Sequence, residues 1–237
     1  MNFMNKKQYR INKTVKFELF EKEPFMVTPY SLFLAENLHQ YLNLSSNHTV
    51  LDYGAGCGIQ SIVASLHGAG HVYGVDIHQT ALNLTQRNLE LNHLNNVTTL
   101  NASHSNWLKD IDKQIDYIIS NPASLPSPNQ ISATFWAGEK GNMMICSLVK
   151  LAEHVLSVSG NLVFIHTSLV CLKETITCLE ASGFKYGIVA VKKLLFRDFY
   201  APLMPYWKIL KSKGQSYYYK DKEQLYELLY LIQAEKE

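Results

Sequence analysis

The stretch from Thr49 to Asn101 constrains this chain most, because short β-rich runs alternate there with helical ones. Thr49–Tyr53 reads as a strand, Ile59–His67 as a helix, His71–Asp76 as a strand, His78–Leu91 as a helix and Val97–Asn101 as a strand. That order specifies a parallel sheet with crossover helices. Ile115–Ser120 makes a fourth strand, stopped at Asn121-Pro122 because proline lacks the ladder donor. Leu125–Gly141, with its Pro, Gly, Ser and Asn, reads as a long loop. Met143–Leu156 then reads as a helix, and Gly160–Thr167 as a fifth strand after a turn at Ser159-Gly160. Leu172–Ala181 is helical and closes at Gly183. Tyr186–Leu195 and Pro205–Leu210 read as two further, antiparallel strands. Asp221–Ala234 reads as a terminal helix, with Asp221 as N-cap and Gln224 in the capping-box position.

The first 48 residues differ in character. Phe17, Phe20, Phe25, Tyr30 and Phe33 crowd together, and Thr28-Pro29 opens a helix over Tyr30–Leu42. The expected organisation is an N-terminal extension over residues 1–48 and one α/β domain over residues 49–237. Within the extension, Phe17–Thr28 is expected to act as a lid, since no other segment offers an aromatic-rich cover.

Charge and cysteine usage exclude little. A net charge of +2 without a Lys/Arg run neither demands nor rules out nucleic acid. Cys57, Cys146, Cys171 and Cys178 lack metal-ligand spacing, so free thiols in a reducing, cytoplasmic setting are expected. No apolar run approaches a membrane span, and no targeting segment is visible.

The chemistry concentrates in Asp52-Tyr53-Gly54-Ala55-Gly56-Cys57-Gly58. Alternating glycines let backbone N–H groups approach a ligand closely and turn the chain into a helix. Ligands of such sheets sit beyond the carboxyl ends of the strands. The spacing G-x-G-x-G differs from the G-x-G-x-x-G of dinucleotide enzymes, which sets the nicotinamide and flavin readings aside. Asp52 places a carboxylate where a cationic ligand end could be held. Asp76 ends the second strand, where an acid can accept both hydroxyls of a ribose, and Ile77 offers an apolar face to an adenine.

These residues resemble motif I and the following acidic motif of class I methyltransferases that use S-adenosyl-L-methionine (AdoMet). The resemblance runs from about Phe25 to Thr167. It implies a Rossmann-like α/β fold with a seven-stranded, mostly parallel sheet, the last strand antiparallel and helices on both faces. It also implies that Asp52, Gly54, Ala55, Gly56 and Gly58 hold the methionine part of AdoMet, and that Asp76 and Ile77 hold the nucleoside. Ser105, in the stretch after the third strand, and Thr28 and Asn121 complete the implied cofactor set.

Ser120-Asn121-Pro122-Ala123-Ser124 resembles the strand-four signature Asn-Pro-Pro-Tyr of amide and amine N-methyltransferases, with release-factor glutamine methyltransferases as the nearest subgroup. The resemblance makes Asn121 and Pro122 the candidate catalytic pair. The second proline and the aromatic are replaced by Ala123 and Ser124, so Ser124 offers no stacking face to a planar amide. Methyl transfer depends chiefly on alignment, and the absence of a catalytic triad is expected for it. His78, His104 and His166 read as structural or surface residues, and Tyr217-Tyr218-Tyr219 as a packing strip.

A small-molecule acceptor leads from sequence alone, methylated on nitrogen or else on oxygen. Two features favour it: an extension too short for a separate recognition domain, and the aromatic stretch Phe196–Trp207, which suits an enclosed pocket. A protein side chain and an RNA base are the alternatives. A non-catalytic methyltransferase-like binding module is the competing reading, from the altered Ala123-Ser124 pair.

Overall fold

A computed structural model describes residues 5–11, 15–130 and 135–236. The expected loop over Leu125–Gly141 is present as irregular chain on both sides of residues 131–134, which lie outside the described residues, as do residues 1–4 and 12–14 of the extension. No helix is long and apolar enough to cross a membrane among the described residues. The chain divides into two compact units, one running to Asn121 and including Leu156–Val163, the other made of Pro122–Val155 and Phe164–Glu237.

The first unit starts with a hairpin, β1 (Asn5–Ile11) and β2 (Val15–Glu21), followed by α1 (Pro29–Tyr41). Thr28 caps α1 as its sequence predicts, in a reciprocal capping box with Ser31. The alternation that follows matches the sequence reading closely: β3 (Thr49–Tyr53), α2 (Ile59–Leu66), β4 (His71–Asp76), α3 (Gln79–Leu91), β5 (Val97–Asn101) and β6 (Ile115–Ser120). Strand order is β5-β4-β3-β6, and β3 pairs in parallel with β4 and β6, as β4 does with β5.

The hairpin is fastened to α3 by two asparagines on one helix face. Asn88, fully buried, accepts from the Phe20 N–H (2.7 Å) and donates to the Phe20 carbonyl (3.0 Å) and the Cys57 carbonyl (2.8 Å). Asn92 repeats the exchange with the Glu18 backbone. Phe17 and Leu19 are buried beneath it. Phe17–Glu21 is thus a clamped strand, and only Lys22–Thr28 is irregular chain.

In the second unit, α4 (Met143–Val155) and α5 (Leu172–Ala181) flank β7 (Leu156–Thr167), whose first residues belong to the first unit and pair beside β6. The expected turn at Ser159-Gly160 is a positive-φ kink at Ser159 (φ 61°) inside this longer strand. β7 continues beside β10 (Gln224–Lys236), and β10 pairs antiparallel with β8 (Phe184–Leu195). The path carries the seven strands anticipated, with its last strand in sequence antiparallel to β8; the short β9 (Tyr219–Asp221) pairs off it.

Three expectations need correction. Asp221–Ala234 is strand, not helix: Asp221 pairs with Gln224 across a tight turn in which Lys222 has φ 53°, and Glu227, Leu229 and Leu231 alternate into the interior. Pro205–Leu210 is helix, within α6 (Met204–Ser212), which buries Trp207 and Leu210. Cys146 and Cys178 are joined as a disulfide between α4 and α5, while Cys57 and Cys171 are free and buried.

The aromatics of Phe196–Trp207 pack on one another. Tyr200 and Trp207 are buried, with the Phe196 ring edge-on to both. Beneath them lies the fully buried Glu227, which accepts from the hydroxyls of Thr167 and Tyr200.

Asn88→Ala strands the buried Phe20 and Cys57 groups, so it is expected to cost about 2–4 kcal/mol in urea unfolding and to speed amide exchange at Phe20. A loss below about 0.5 kcal/mol would mean that apolar burial alone holds the hairpin.

Candidate functional site

Register brings the functional candidates of the first unit to one edge of the sheet. Asp52 stands opposite Gly74 and Ile119, and Asp76 opposite Asn101. Tyr53, Asp76 and Asn101 therefore end their strands at the same carboxyl edge, and Asn121 follows one residue after Ser120, whose hydroxyl donates to the Tyr53 carbonyl (2.7 Å). This is the edge at which ligands of parallel α/β sheets bind.

The glycine loop is pinned from below. The N–H groups of Gly54 and Ala55 both donate to the Val75 carbonyl (2.8 and 2.9 Å), and that of Gly56 donates to Asp76 Oδ2 (3.0 Å). Gly54, Gly56 and Gly58 all have positive φ. At Gly58 a Cβ would come within 2.9 Å of Thr85 Cγ2, so only glycine lets α2 begin this close to α3. At Gly56 the space a Cβ would enter holds nothing nearer than 3.9 Å, leaving that side of the loop open.

The two carboxylates differ. Asp76 is buried but satisfied: Oδ2 accepts from Gly56 N–H, and Oδ1 from His78 N–H (2.9 Å). Each oxygen keeps acceptor capacity for a hydroxyl. Asp52, 1% exposed, accepts the Ser61 hydroxyl on Oδ2 (2.6 Å), while its Oδ1 is buried without a partner. Burial pushes the Asp52 carboxyl up to about 7, with the Asp76 charge adding to the rise and the Ser61 hydrogen bonds opposing it. A buried carboxylate with one unanswered oxygen suits a cationic, donor-only group such as the α-ammonium of AdoMet, and the open side of Gly56 suits the close approach that AdoMet requires.

The remaining candidates are placed as follows. Ile77 is 52% exposed beside Asp76 and presents its apolar side chain. Ser105 is exposed in the turn after β5, and Asn121 and Pro122 are half-buried. The Thr28 hydroxyl is occupied as the α1 cap, accepting from Ser31 N–H (3.2 Å). Among the histidines, His104 is exposed, and His166 is fully buried beside Thr175 and pushed down to about 4 by burial. Tyr219 of the tyrosine strip stacks between Tyr217 and Tyr226.

Sequence reading missed three contributors. Ser61 holds Asp52, Asn88 holds the loop carbonyl of Cys57, and Tyr53, the last residue of β3, lies against Trp107 (6.1 Å between ring centroids). Asn88 had a signal: it sits on the apolar face of α3, in line with Leu84 and Leu91.

The chain resembles known methyltransferases. Residues 27–125 match the family described as ribosomal protein L11 methyltransferase (PrmA). A Methanocaldococcus jannaschii protein that carries the name of a protein N5-glutamine methyltransferase is 29% identical over 174 residues, covering 71% of this chain and 84% of that one. The L11 methyltransferase of Lactobacillus gasseri is 45% identical over 73 residues, but these are 31% of this chain and only 22% of the relative. Among solved structures, the Thermus thermophilus 16S rRNA N2 G1207 methyltransferase, in complex with AdoMet and guanosine, superposes with a TM-score of 0.60 at 20% identity, over 98% of this chain and 50% of that one.

The raised Asp52 carboxyl gives a signed prediction. In the free protein its neutral form is favoured, so its contribution to stability is complete below pH about 4 and is lost as pH rises through about 7. Holding an ammonium requires the ionised form, so AdoMet binding is expected to release a proton below pH about 7 and to tighten as pH rises to that value. Calorimetry in buffers of different ionisation enthalpy reads both effects, and Asp52→Asn should abolish the proton release.

Proposed function

Taking as premise that the chain is a class I AdoMet-dependent methyltransferase, we propose that its acceptor is a nitrogen on a protein side chain. The observation that carries this is the position of Asn121, one residue beyond β6 at the edge shared with the glycine loop. Pro122 restricts Asn121 to extended backbone, which gives its side-chain amide and carbonyl a defined direction. Both are oxygen acceptors suited to an N–H-bearing group.

AdoMet, when bound, supplies an electrophilic methyl group on a sulfonium. Asp52 and the Gly54–Gly58 backbone would hold its methionine part, and Asp76 with Ile77 its nucleoside. Asn121 would accept a hydrogen bond from the acceptor nitrogen and so align it toward that methyl group. Proximity of this kind removes a large part of the barrier without a dedicated base.

The protein acceptor draws support from the M. jannaschii relative, named for glutamine methylation and covered over 84% of its length. The two features that favoured a small molecule weaken. A relative of similar length carries a protein methyltransferase's name, and the aromatics of Phe196–Trp207 are used in packing. Within the extension, we assign the cover of the site to Lys22–Thr28, whose Phe25 ring lies 5.7 Å from that of His78, the N-cap of α3.

With labelled AdoMet and size-fractionated extract, label is expected in protein. Asn121→Ala should lower transfer by a factor on the order of 100 while AdoMet affinity holds. Label only in RNA or small molecules, or full activity in Asn121→Ala, would overturn the assignment. Hydrogen exchange is expected to slow over Lys22–Thr28 when AdoMet is added, and to stay unchanged over β1 and β2. An unchanged Lys22–Thr28 segment would remove it as the cover.

A further inference from the structure

Two buried acceptor atoms without a donor flank the glycine loop. One is Asp52 Oδ1; the other is Oε1 of Gln60, the second residue of α2, which is 3% exposed. Gln60 Nε2 donates to the Ser31 carbonyl (2.7 Å) in the first turn of α1. A carbonyl only accepts, so this bond fixes the amide: nitrogen toward Ser31, oxygen away from it. The next residue, Ser61, holds the other oxygen of Asp52. Adjacent residues on the first turn of α2 therefore carry one orphaned acceptor and anchor the side chain that carries the other.

A residue serving only to prop α1 against α2 would need the Nε2 bond alone, and burying Oε1 unpaired would be a loss. Gln60 Oε1 can only accept, and Asp52 Oδ1 becomes acceptor-only once the carboxyl ionises, so one group that answers both must donate and favour the carboxylate. AdoMet has two groups that donate without accepting, the adenine amino group and the α-ammonium, and only the α-ammonium is a cation and belongs to the methionine part, the part assigned to Asp52 and the loop.

We propose that Gln60 is a cofactor-binding residue which, with Asp52, takes the α-ammonium of AdoMet and ties the capping turn Thr28–Ser31 to that contact. This rests on the cofactor and is independent of the acceptor. It explains why an amide stands at a buried helix position preceded by Ile59 and followed, two and three residues on, by Ile62 and Val63. It also assigns Thr28 a different part from direct cofactor contact: its hydroxyl builds the turn that Gln60 grips.

The test compares AdoMet and its demethylated product with 5′-methylthioadenosine, which keeps adenine, ribose and sulfur but has no amino-acid part. By calorimetry, Gln60→Met is expected to weaken both amino-acid-bearing ligands about tenfold while leaving methylthioadenosine within twofold. An equal loss for all three ligands, or no loss for any, would overturn the assignment. If Gln60→Met fails to fold by circular dichroism, Gln60→Asn carries the same comparison, because its shorter amide cannot reach both partners. Absence of AdoMet binding to the unaltered protein would overturn the cofactor reading itself, an outcome separate from selective or uniform loss in the variants.

Discussion

The glycine loop has to turn the chain from β3 into α2 while leaving one side bare, and hydrogen bonds from a single side make that possible. Val75 and Asp76 take the amides of Gly54, Ala55 and Gly56, and Thr85 and Asn88 supply donors to the carbonyls of Gly56 and Cys57. All four partners lie on β4 or α3. The backbone polar groups that a strained turn exposes are thus answered without any atom intruding where a ligand has to lie. This dictates the neighbours: β4 must stand beside β3, and α3 must approach so closely that position 58 tolerates no side chain.

Asn88 extends that constraint into the N-terminal hairpin, because one amide bridges the loop carbonyl of Cys57 and the backbone of Phe20. The hairpin is consequently part of the support of the glycine loop. The two carboxylates divide the work by environment. Asp76 uses both oxygens to set the loop and the entry to α3, so its position is fixed before any hydroxyl arrives. Asp52 is held on one side only and pays for its burial by favouring the neutral form, a cost that a cation removes.

What was legible in the sequence is what is decided locally. The runs from Thr49 to Ser120 carry their own periodicity, and the Thr28 cap and the glycine turn depend on residues within a few positions of each other. What was not legible depends on distant partners. Gln224–Lys236 contains Leu, Gln, Glu and Ala, all helix-favouring, yet eleven of its residues, Tyr226 to Lys236, pair with β8 along its length. Glu227 belongs on the outside of a helix read from sequence, but as a strand residue it is turned inward to the hydroxyls of Thr167 and Tyr200. Cys146 and Cys178 lie 32 positions apart, and only the packing of α4 on α5 brings their Cα atoms to 5.7 Å. At the site, Asp52 and Asp76 could be named from motif spacing, but the orphaned oxygen of Gln60 could not, since it is defined by Ser31 on another helix.

The replacement of a ring by Ser124 has a physical setting. The chain that follows it is held by two indoles, with Trp207 Nε1 donating to the Pro126 carbonyl (2.9 Å) and Trp136 Nε1 to that of Ser127 (3.0 Å). Leu125 is buried and exchanges backbone hydrogen bonds with Phe135 and Ala137. Gly141 packs so close to the Ser124 carbonyl that a Cβ there would stand 2.6 Å away. Position 124 therefore belongs to a segment whose shape is fixed by its neighbours, and what it contributes is a hydroxyl in place of a planar face. Such a group can donate or accept a hydrogen bond and cannot stack. On the proposed reading of Asn121, selection of an acceptor would rest on hydrogen bonding and not on stacking, and hydrogen bonding discriminates strongly against groups that leave a polar partner unmade.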